Sequence, residues 1–432
     1  MLYPMVYCCK RFIISGLVVV LSVFHVVSQN NDIEEFLKMI PKAQVTTAKV
    51  EKDFKGGYLI MLQQPIDHSN LARGTFSQRI WLSHFSKEAP VVLVTSGYDA
   101  PKNYTTELSN FIKANQIIVE HRYYGQSTPS PKDWKFLTVE QAANDHHKIV
   151  ELFKGFYTQK WINTGVSKGG ATTLFHRAFF PEDVDVSVPY VAPINMSRVD
   201  QRLFDFFEEV GTEGDRKRIF EFQKLIFQNK EKYLPLVKQV VERKGWEFSM
   251  GIEKAYELAV LEYPFAMWQW GISIGSIPAL DAKDIQIVNH FIDGAGFDYF
   301  SNASMSKYES FFYQAYRELG YYSYLKGSLK SYFSVLENDT IDNSMFAPGG
   351  DSLQFNSNTM EFVMERLRKN NPKIISISGE TDPWGATSLI ADELSNTIKV
   401  IKKNGSHLTR IKNLEEGDRK MVLEHLNKWL KE

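Results

Sequence analysis

The sequence predicts an α/β protein in which a mostly parallel central sheet carries an inserted helical subdomain. Three observations lead to this prediction. Short, continuously apolar segments alternate with helix-length segments in the first half of the chain, as in sheets that are buried on both faces. A long middle stretch then has helical periodicity, and strand signals return near the C-terminus. A glycine-flanked serine lies between one predicted strand and one predicted helix.

Composition limits the classes of function that suit the chain. Its 432 residues are enough for one large catalytic domain with an insertion, or for two domains. The hydrophobic content of 44% suits a packed globular protein. The formal net charge of -1 gives no reason to expect nucleic acid or acidic lipid as a partner. We therefore expect a small or peptide-sized ligand, and the sequence leaves the oligomeric state open.

The N-terminus has the pattern of an export signal. Lys10 and Arg11 precede an apolar run over residues 12–27, and the small residue Ser28 offers a cleavage site. We therefore predict a signal peptide over residues 1–28 and no stable membrane association after its removal. Retention of the apolar run as a membrane anchor is the alternative, although the run is short for a span of ~20 residues.

The cysteines of the chain support an exported location. Cys8 and Cys9 are the two cysteines, and both would leave with the signal peptide. The mature chain would then have no disulfide, no cysteine nucleophile and no thiolate metal site. An exported protein of this size without disulfides points to the periplasm or the exterior of a bacterium.

The predicted sheet begins in the first half of the chain. Residues 57–65 and 75–85 have strand character and are expected to form an antiparallel edge. Shorter apolar strands follow, beginning at Pro90, Gln116, Lys160 and Val186. We assign residues 29–199 to the first part of the catalytic core.

Strand signals stop in the middle of the chain and return later. Residues 200–346 contain amphipathic segments and the aromatic-rich stretches EYPFAMWQWG and SKYESFFYQAYRELGYYSYL, so we predict a helical cap insertion there. Residues 347–432 form the second part of the core. They contain strands over 373–379 and 397–403 and end in a helix.

The glycine-flanked serine is Ser167, within a segment that fits the pattern G-x-S-x-G. It follows the strand KWINTGV directly and precedes the helix-compatible segment GGATTLFHRAFF. A sharp turn from strand to helix places a side chain at the carboxyl edge of the sheet, where open α/β folds have their sites. Gly165 and Gly169 would relieve crowding at this turn. The motif therefore predicts a nucleophilic serine, although small residues around a serine are also common in ordinary turns.

A serine nucleophile needs a base, and the base needs an orienting carboxylate. In this fold the partners follow in the order serine, acid, histidine, each after a later strand. Asp382 follows the first of the two later strands and His407 follows the second. Glu380 is an alternative acid. Taken alone, Asp382 could begin an Asp-Pro turn and His407 could be a surface histidine, but the order and the strand positions together predict a catalytic triad.

The same turn predicts an oxyanion hole. One donor is expected to be the backbone N–H of Lys168, at the N-terminus of the helix. The second is expected from the loop GYDAP after the strand VVLVTS, at Gly97 or Tyr98. We expect the Lys168 side chain to pack or to face solvent.

Six segments in chain order carry a family resemblance: IDHSNLARGTFSQRIWLSHF, VEHRYYGQSTPSP, LTVEQAANDHHKIVELF, KWINTGVSKGG, TDPW and GSHL. They resemble the secreted serine exopeptidases of the PS-10 peptidase family (peptidase family S37). They are similar, more distantly, to the prolylcarboxypeptidase and dipeptidyl peptidase II family (S28). The S28 group has a tyrosine after the nucleophile, whereas this chain has Lys168. This difference and the absent cysteines favour the S37 family.

The resemblance implies an α/β-hydrolase fold with a helical cap. It also implies an exopeptidase that trims short peptides from chain ends, commonly with proline at the cleaved position. The roles of the triad would fall on Ser167, Asp382 and His407. We expect a tripeptidyl or dipeptidyl aminopeptidase that acts on peptide substrates. A carboxylesterase or lipase on the same fold, or a catalytically silent binding homologue, are the alternatives.

Substrate binding is expected to involve aromatic and acidic side chains. Proline rings pack well on flat aromatic faces, and a free α-amine is usually held by a carboxylate. The aromatic candidates are Phe265, Trp268 and Trp270, which could instead form the core of the cap. The carboxylate candidates are Glu262, Glu309, Glu318 and, in a block that either borders the pocket or braces the core, Glu120. We expect no cofactor and no metal, because the adjacent His146 and His147 lack a ligand-like spacing.

Overall fold

The computed structural model of the protein describes residues 32–336, 341–390 and 394–432. The predicted signal peptide, residues 1–28, lies outside these ranges together with Cys8 and Cys9. Within the ranges described, none of the helices has the length and apolar character that crossing a membrane requires.

One sheet contains all nine strands assigned within the described residues. In chain order the strands are β1 (Gln44–Thr47), β2 (Gly56–Pro65), β3 (Thr75–His84), β4 (Val91–Thr95), β5 (Asn115–Val119), β6 (Trp161–Val166), β7 (Val186–Tyr190), β8 (Ile374–Gly379) and β9 (Thr397–Lys402). Their spatial order is β1-β2-β3-β5-β4-β6-β7-β8-β9.

The direction of the strands divides the sheet into two parts. The pairs β1–β2, β2–β3 and β3–β5 are antiparallel. All pairs from β5 to β9 are parallel. The antiparallel edge predicted from the sequence is therefore confirmed. The edge strand β1 was not predicted, because its four residues are mostly exposed and give no apolar signal.

Helices cover both faces of the sheet. On one face lie α2 (Val139–Lys154), α3 (Lys168–Phe179) and α10 (Asn358–Asn370), and on the other lie α1 (Glu107–Ile112) and α12 (Glu416–Lys431). Alternate residues of β4 point to opposite faces of the sheet. Val91 and Leu93 pack in the hydrophobic cluster that includes residues of α2, and Val92 packs in the cluster that includes residues of α12. This double coverage explains why β4, β5 and β7 are buried throughout.

Between β7 and α10 the residues that the structure describes are mainly helical. It contains α4 (Gln201–Glu209), α5 (Glu213–Gln228), α6 (Lys230–Lys244), α7 (Ile252–Trp270), α8 (Asp284–Ala295) and α9 (Asn302–Gln314). These helices share a hydrophobic core of their own, whose fully buried members include Phe222, Tyr256 and Phe291. The short helix α11 (Pro383–Ala386) follows β8 and meets this core through Trp384.

This arrangement is the α/β-hydrolase fold, as the sequence predicts. The parallel strands run in the same direction, so the loops after β4, β6, β8 and β9 lie along one edge of the sheet. These are the loops that carry Gly97, Ser167, Asp382 and His407. The fold therefore brings together residues that are up to 310 positions apart in the chain.

Candidate active site

Ser167 occupies the turn between β6 and α3. Its backbone has φ 58° and ψ -126°, a conformation that residues with a Cβ rarely adopt. The backbone N–H of Ser167 donates to the carbonyl of Tyr190 at the end of the neighbouring strand, at 2.9 Å. Strain of this kind is typical of functional turns, because the surrounding structure must hold it in place. The half-buried serine lines a cavity at the carboxyl edge of the sheet.

Glycines make this turn possible by removing side chains from crowded positions. A Cβ atom on Gly165 would lie 2.2 Å from the carbonyl oxygen of Gly169, and one on Gly170 would lie 2.7 Å from the carbonyl oxygen of Tyr190. A Cβ atom on Gly97 would lie 2.5 Å from the backbone nitrogen of Gly169. The loop after β4 therefore packs directly against the start of α3.

Asp382 and His407 meet across the loops after β8 and β9. Nδ1 of His407 lies 2.8 Å from Oδ2 of Asp382. The Asp382 side chain is fully buried, and its Oδ1 accepts a hydrogen bond from the N–H of Trp384 at the start of α11. A carboxylate held in this way can fix the imidazole through Nδ1 and leave Nε2 for proton transfer. His407 and Ser167 line the same cavity.

Glu380, the alternative acid, has a different position. It is exposed, and its Oε2 accepts a hydrogen bond from the backbone N–H of Asn404 at 2.7 Å. It therefore supports the turn after β9 from the outside. The structure brings Asp382, not Glu380, to the imidazole.

The expected oxyanion donors lie beside the serine. Lys168 is the first residue of α3, so its backbone N–H has no partner within the helix. Gly97 packs against the start of α3, and Tyr98 lines the cavity that contains Ser167. The Tyr98 side chain adds a contact that the sequence did not predict. Burial raises the pKa of its phenol, and a side-chain hydrogen bond with Ser167 acts in the opposite direction.

The cavity beside Ser167 has a volume of about 580 Å³. Two of the substrate-binding candidates line it, Glu262 and Trp270. Oε2 of Glu262 accepts a hydrogen bond of 2.5 Å from the Tyr322 hydroxyl, and burial raises the pKa of this carboxyl to about 8. Trp270 is half exposed and stands edge-on to the imidazole of His407, with 5.8 Å between ring centroids.

Two aromatic candidates lie outside the cavity lining. Phe265 stacks on Tyr322 at 3.8 Å between centroids and packs behind the cavity wall. Trp268 is buried and packs so closely against Gly211 that a Cβ atom on that glycine would lie 2.4 Å from the indole ring. Both belong to the hydrophobic core of the cap, which is the alternative that the sequence left open for them.

Three carboxylate candidates also lie outside the lining. Glu309 is at the surface, where it forms an ion pair with Lys132. Glu318 is buried and accepts a hydrogen bond from the backbone N–H of Val139 at 2.6 Å, so it caps α2. Glu120 is fully buried and accepts hydrogen bonds from four partners: the Arg79 side chain, the Ala100 N–H, and both the N–H and the hydroxyl of Ser127. Glu120 therefore braces the core.

Several residues of the cavity were not singled out from the sequence. They are aromatic: Tyr299, Tyr308, Phe311, Tyr321, Tyr322 and Trp384. Most come from the aromatic-rich stretch between residues 306 and 325, whose density was the available signal. Trp384 had a more specific signal, because it follows the proposed acid by two positions within TDPW.

The two adjacent histidines of α2 are held by neighbouring protein groups. Nδ1 of His146 lies 2.7 Å from the carbonyl oxygen of Ala142, and Nδ1 of His147 lies 2.9 Å from a carboxylate oxygen of Asp183. Among the described residues, no three His, Cys, Asp or Glu side chains are grouped in a way that could hold a metal ion.

Comparison with known proteins gives the relatives of this chain. The model of the family described as PS-10 peptidase S37 matches residues 27–407. A prolyl tri/tetrapeptidyl aminopeptidase of Streptomyces mobaraensis is 28% identical over 409 residues, which are 92% of this chain and 85% of that protein. The lysosomal Pro-X carboxypeptidase of Bos taurus is 29% identical over 155 residues, 31% of each protein. The human Pro-X carboxypeptidase is 27% identical over 176 residues, 36% of this chain and 35% of that protein. The resemblance seen in the sequence is confirmed.

Proposed function

The chain belongs to the PS-10 peptidase S37 family and is a serine peptidase, and we propose that it removes short peptides from the N-termini of peptide substrates, with a preference for proline at the cleaved position. One observation carries the proposal: the buried carboxyl of Glu262 lines the same cavity as Ser167 and His407. A buried carboxyl in the wall of a peptidase cavity suits a free α-amine. The name of the Streptomyces relative, a prolyl tri/tetrapeptidyl aminopeptidase, supports the same assignment.

In the first half of the proposed reaction, the hydroxyl oxygen of Ser167 attacks the scissile carbonyl while Nε2 of His407 takes its proton. The backbone N–H groups of Lys168 and Tyr98 stabilise the oxyanion of the tetrahedral intermediate. His407 then gives the proton to the departing amine, and the N-terminal part of the substrate stays on Ser167 as an ester. Asp382 holds the imidazole in the tautomer that has its proton on Nδ1.

The second half repeats these steps with water. His407 takes a proton from the water, whose oxygen attacks the ester carbonyl of the acyl-enzyme. The same backbone N–H groups stabilise the second oxyanion, and Ser167 leaves with the proton that His407 returns. The released product is a short peptide with a new carboxyl terminus.

Glu262 is proposed to bind the substrate amine. Burial raises the pKa of its carboxyl to about 8, which is close to the ordinary pKa of an α-amine, about 7.7–8.0. The carboxyl can therefore transfer its proton to the α-amine at little cost. The resulting ion pair stabilises the charged carboxylate, which burial has removed from water. The Tyr322 hydroxyl, which already donates to Oε2, would orient the carboxylate.

The preference for proline is proposed to come from the aromatic wall of the cavity. Trp270 and Trp384 both line it. Trp270 stands edge-on to the imidazole of His407, and Trp384 follows Asp382 by two positions in the sequence. The Trp384 ring is buried, and Tyr321 stacks on it at 5.4 Å between centroids. A rigid pyrrolidine ring can pack on such faces with little loss of conformational entropy.

We also propose that the protein is exported. The support is the N-terminal pattern, in which Lys10 and Arg11 precede the apolar run and Ser28 offers a cleavage site. N-terminal sequencing of the protein recovered from the medium or the periplasm of an expressing bacterium tests this proposal. A mature chain that begins at Gln29 is expected, and an uncleaved N-terminus in the membrane fraction would contradict it.

The aminopeptidase proposal is tested with matched peptides. The purified protein is incubated with proline-containing peptides whose N-termini are either free or acetylated, and the products are identified by mass. We expect cleavage after proline near the free N-terminus and little cleavage of the acetylated peptides. The Ser167→Ala variant, which should keep the fold, is the control for contaminating peptidases.

Two outcomes would contradict the proposal. Equal cleavage of free and acetylated peptides would show that no group recognises the α-amine. Rapid hydrolysis of short-chain esters without any cleavage of the peptides would favour a carboxylesterase on the same fold.

A further inference from the structure

Lys168 has an unusual environment for a lysine. The residue is 4% exposed, although it directly follows the proposed nucleophile. Within the described parts of the chain, no carboxylate oxygen lies within ion-pair distance of its Nζ atom. Lysine is rarely buried without such a partner, because burial of an ammonium group is costly. Packing alone therefore does not explain why this side chain is buried.

The Nζ atom of Lys168 donates a hydrogen bond to the carbonyl oxygen of Gly97 at 2.8 Å. This carbonyl belongs to the peptide group that joins Gly97 to Tyr98, in the loop after β4. A trans peptide group is planar, with its C=O and its N–H pointing in opposite directions. A hydrogen bond that fixes the carbonyl of Gly97 therefore fixes the direction of the N–H of Tyr98.

The N–H of Tyr98 is available for a ligand. Among the backbone hydrogen bonds of the described residues, the carbonyl of Tyr98 accepts from His121 at 3.2 Å, but its N–H donates to no protein group. The loop is otherwise held by close packing, since a Cβ atom on Gly97 would collide with the start of α3. A free N–H in a rigid loop beside the nucleophile is what an oxyanion hole requires.

We propose that Lys168 links the two halves of the oxyanion hole. Its backbone N–H is one donor, and its side chain, through the carbonyl of Gly97, orients the Tyr98 N–H that is the other donor. This inference rests on the proposed serine mechanism and assigns the lysine a positioning role in it. The side chain is a positioning group because it acts on the substrate through the Gly97–Tyr98 peptide.

The surroundings of Nζ suit a role that does not depend on its charge. The amine lies 5.7 Å from the ring centre of Tyr98 and 5.3 Å from that of Tyr124, so two aromatic faces enclose it. Burial lowers the pKa of Lys168 to about 7, and the charge of Glu318 opposes this change. Both the ammonium and the neutral amine carry N–H groups, so the hydrogen bond to Gly97 persists in either form.

The test compares Lys168→Met with the wild-type protein. Methionine fills a similar apolar space but has no donor for the carbonyl of Gly97. We expect kcat to fall by about tenfold to a hundredfold, less than the ~10²–10³ that follows outright loss of an oxyanion donor. KM should stay within about threefold, because the ground-state contacts of the substrate are unchanged. A short peptide ending in proline boronic acid, which forms a tetrahedral adduct on the serine, should lose affinity by the same factor as kcat.

Two further variants distinguish a positioning role of Lys168 from a general loss of stability. Lys168→Gln keeps an N–H donor on a shorter side chain and should lose less kcat than Lys168→Met. Lys230→Met removes another largely buried lysine, which binds Glu257 at 2.6 Å in the cap, and should lower the melting temperature without changing boronate affinity. If Lys168→Met does not fold, Lys168→Gln and Lys168→Arg are compared with the wild-type protein by the same boronate assay.

The proposal would be overturned if the folded Lys168 variants bound the boronate as tightly as the wild-type protein, or if the loss appeared in KM alone. The variants are compared on any substrate that the wild-type protein hydrolyses, ester or peptide. Failure of the lysine proposal is therefore distinct from failure of the aminopeptidase proposal, which depends on the difference between free and acetylated N-termini in the wild-type protein.

Discussion

The backbone N–H of His407 donates to the carbonyl oxygen of Gln269 at 2.9 Å, so the last turn of α7 is bonded directly to the loop that carries the proposed base. The neighbouring Trp270 stands edge-on to the imidazole. Arg410 supports the same loop from within, by donating to the carbonyl of His407 at 3.1 Å. A helix of the cap therefore helps to hold the histidine, and the cap contributes to the position of the base as well as to the cavity wall.

Trp270→Ala should lower kcat/KM by about twofold to tenfold, since an aromatic pair of this geometry contributes about 0.5–1.5 kcal/mol. Steady-state kinetics on a free-amine proline peptide measures the effect. Trp246→Ala, which removes a partly buried tryptophan of the cap that does not line the cavity, is the matched control. Equal losses in the two variants would mean that Trp270 has no special relation to the site.

Asp382→Asn should lower kcat by about 10⁴ with little change in the fold, because an amide no longer selects the required imidazole tautomer. Glu380→Gln alters the alternative acid, which is exposed and bonded to Asn404, and should leave kcat nearly unchanged. Single-turnover kinetics and thermal unfolding of both variants provide the comparison. A large loss of kcat in Glu380→Gln would reassign the acid.

Glu262→Gln should reduce kcat/KM for peptides with a free N-terminus by about tenfold to a hundredfold, since hydrogen bonds to charged groups contribute about 1.5–3 kcal/mol. The slow cleavage of acetylated peptides should change little. Glu309→Gln, at the surface, is the control. If the variant cleaved free and acetylated peptides with the wild-type ratio, another group would have to recognise the amine.

The raised pKa of Glu262 also predicts how stability changes with pH. Between the ordinary pKa of 4.5 and the folded-state pKa of about 8, the folded protein keeps a proton that the unfolded chain loses. The contribution of this group to stability is therefore full below pH 4.5 and is lost as pH rises towards 8. Glutamine does not titrate, so the melting temperature of Glu262→Gln relative to wild type should rise between pH 5 and pH 8.

Thermal unfolding of the two proteins at several pH values between these limits provides this measurement. Other titrating groups, such as Lys168, are common to both proteins and cancel in the difference. A difference in melting temperature that stays constant with pH would contradict the raised pKa.

Much of the fold and of the site could be predicted because these features have local signals. The strand β4 begins with four consecutive apolar residues, Val91 to Val94, and it is fully buried. The sharp turn at Ser167 could be predicted because it needs glycines at fixed positions, and the sequence has them. Asp382 and His407 followed from the order of the later strands.

The cavity beside Ser167 was harder to predict, because the residues that line it are determined by tertiary packing. Helix α7 is buried along most of its length, so its periodicity does not separate Phe265, which packs in the core, from Trp270, which lines the cavity. Glu318 and Glu262 are both buried glutamates, but one caps α2 and the other faces the cavity. Lys168 was expected to pack or to face solvent, and its bond to Gly97 depends on two loops that are far apart in the chain.

The most direct test of the central claim, that Ser167 is the nucleophile, is to label the protein with a fluorophosphonate and to locate the modified residue by mass spectrometry of its peptides. The phosphonyl group should be found on Ser167 in stoichiometric amount, and labelling should be lost in Ser167→Ala and strongly slowed in Asp382→Asn. Stoichiometric modification of another residue, or an unmodified Ser167 in an active preparation, would contradict the account.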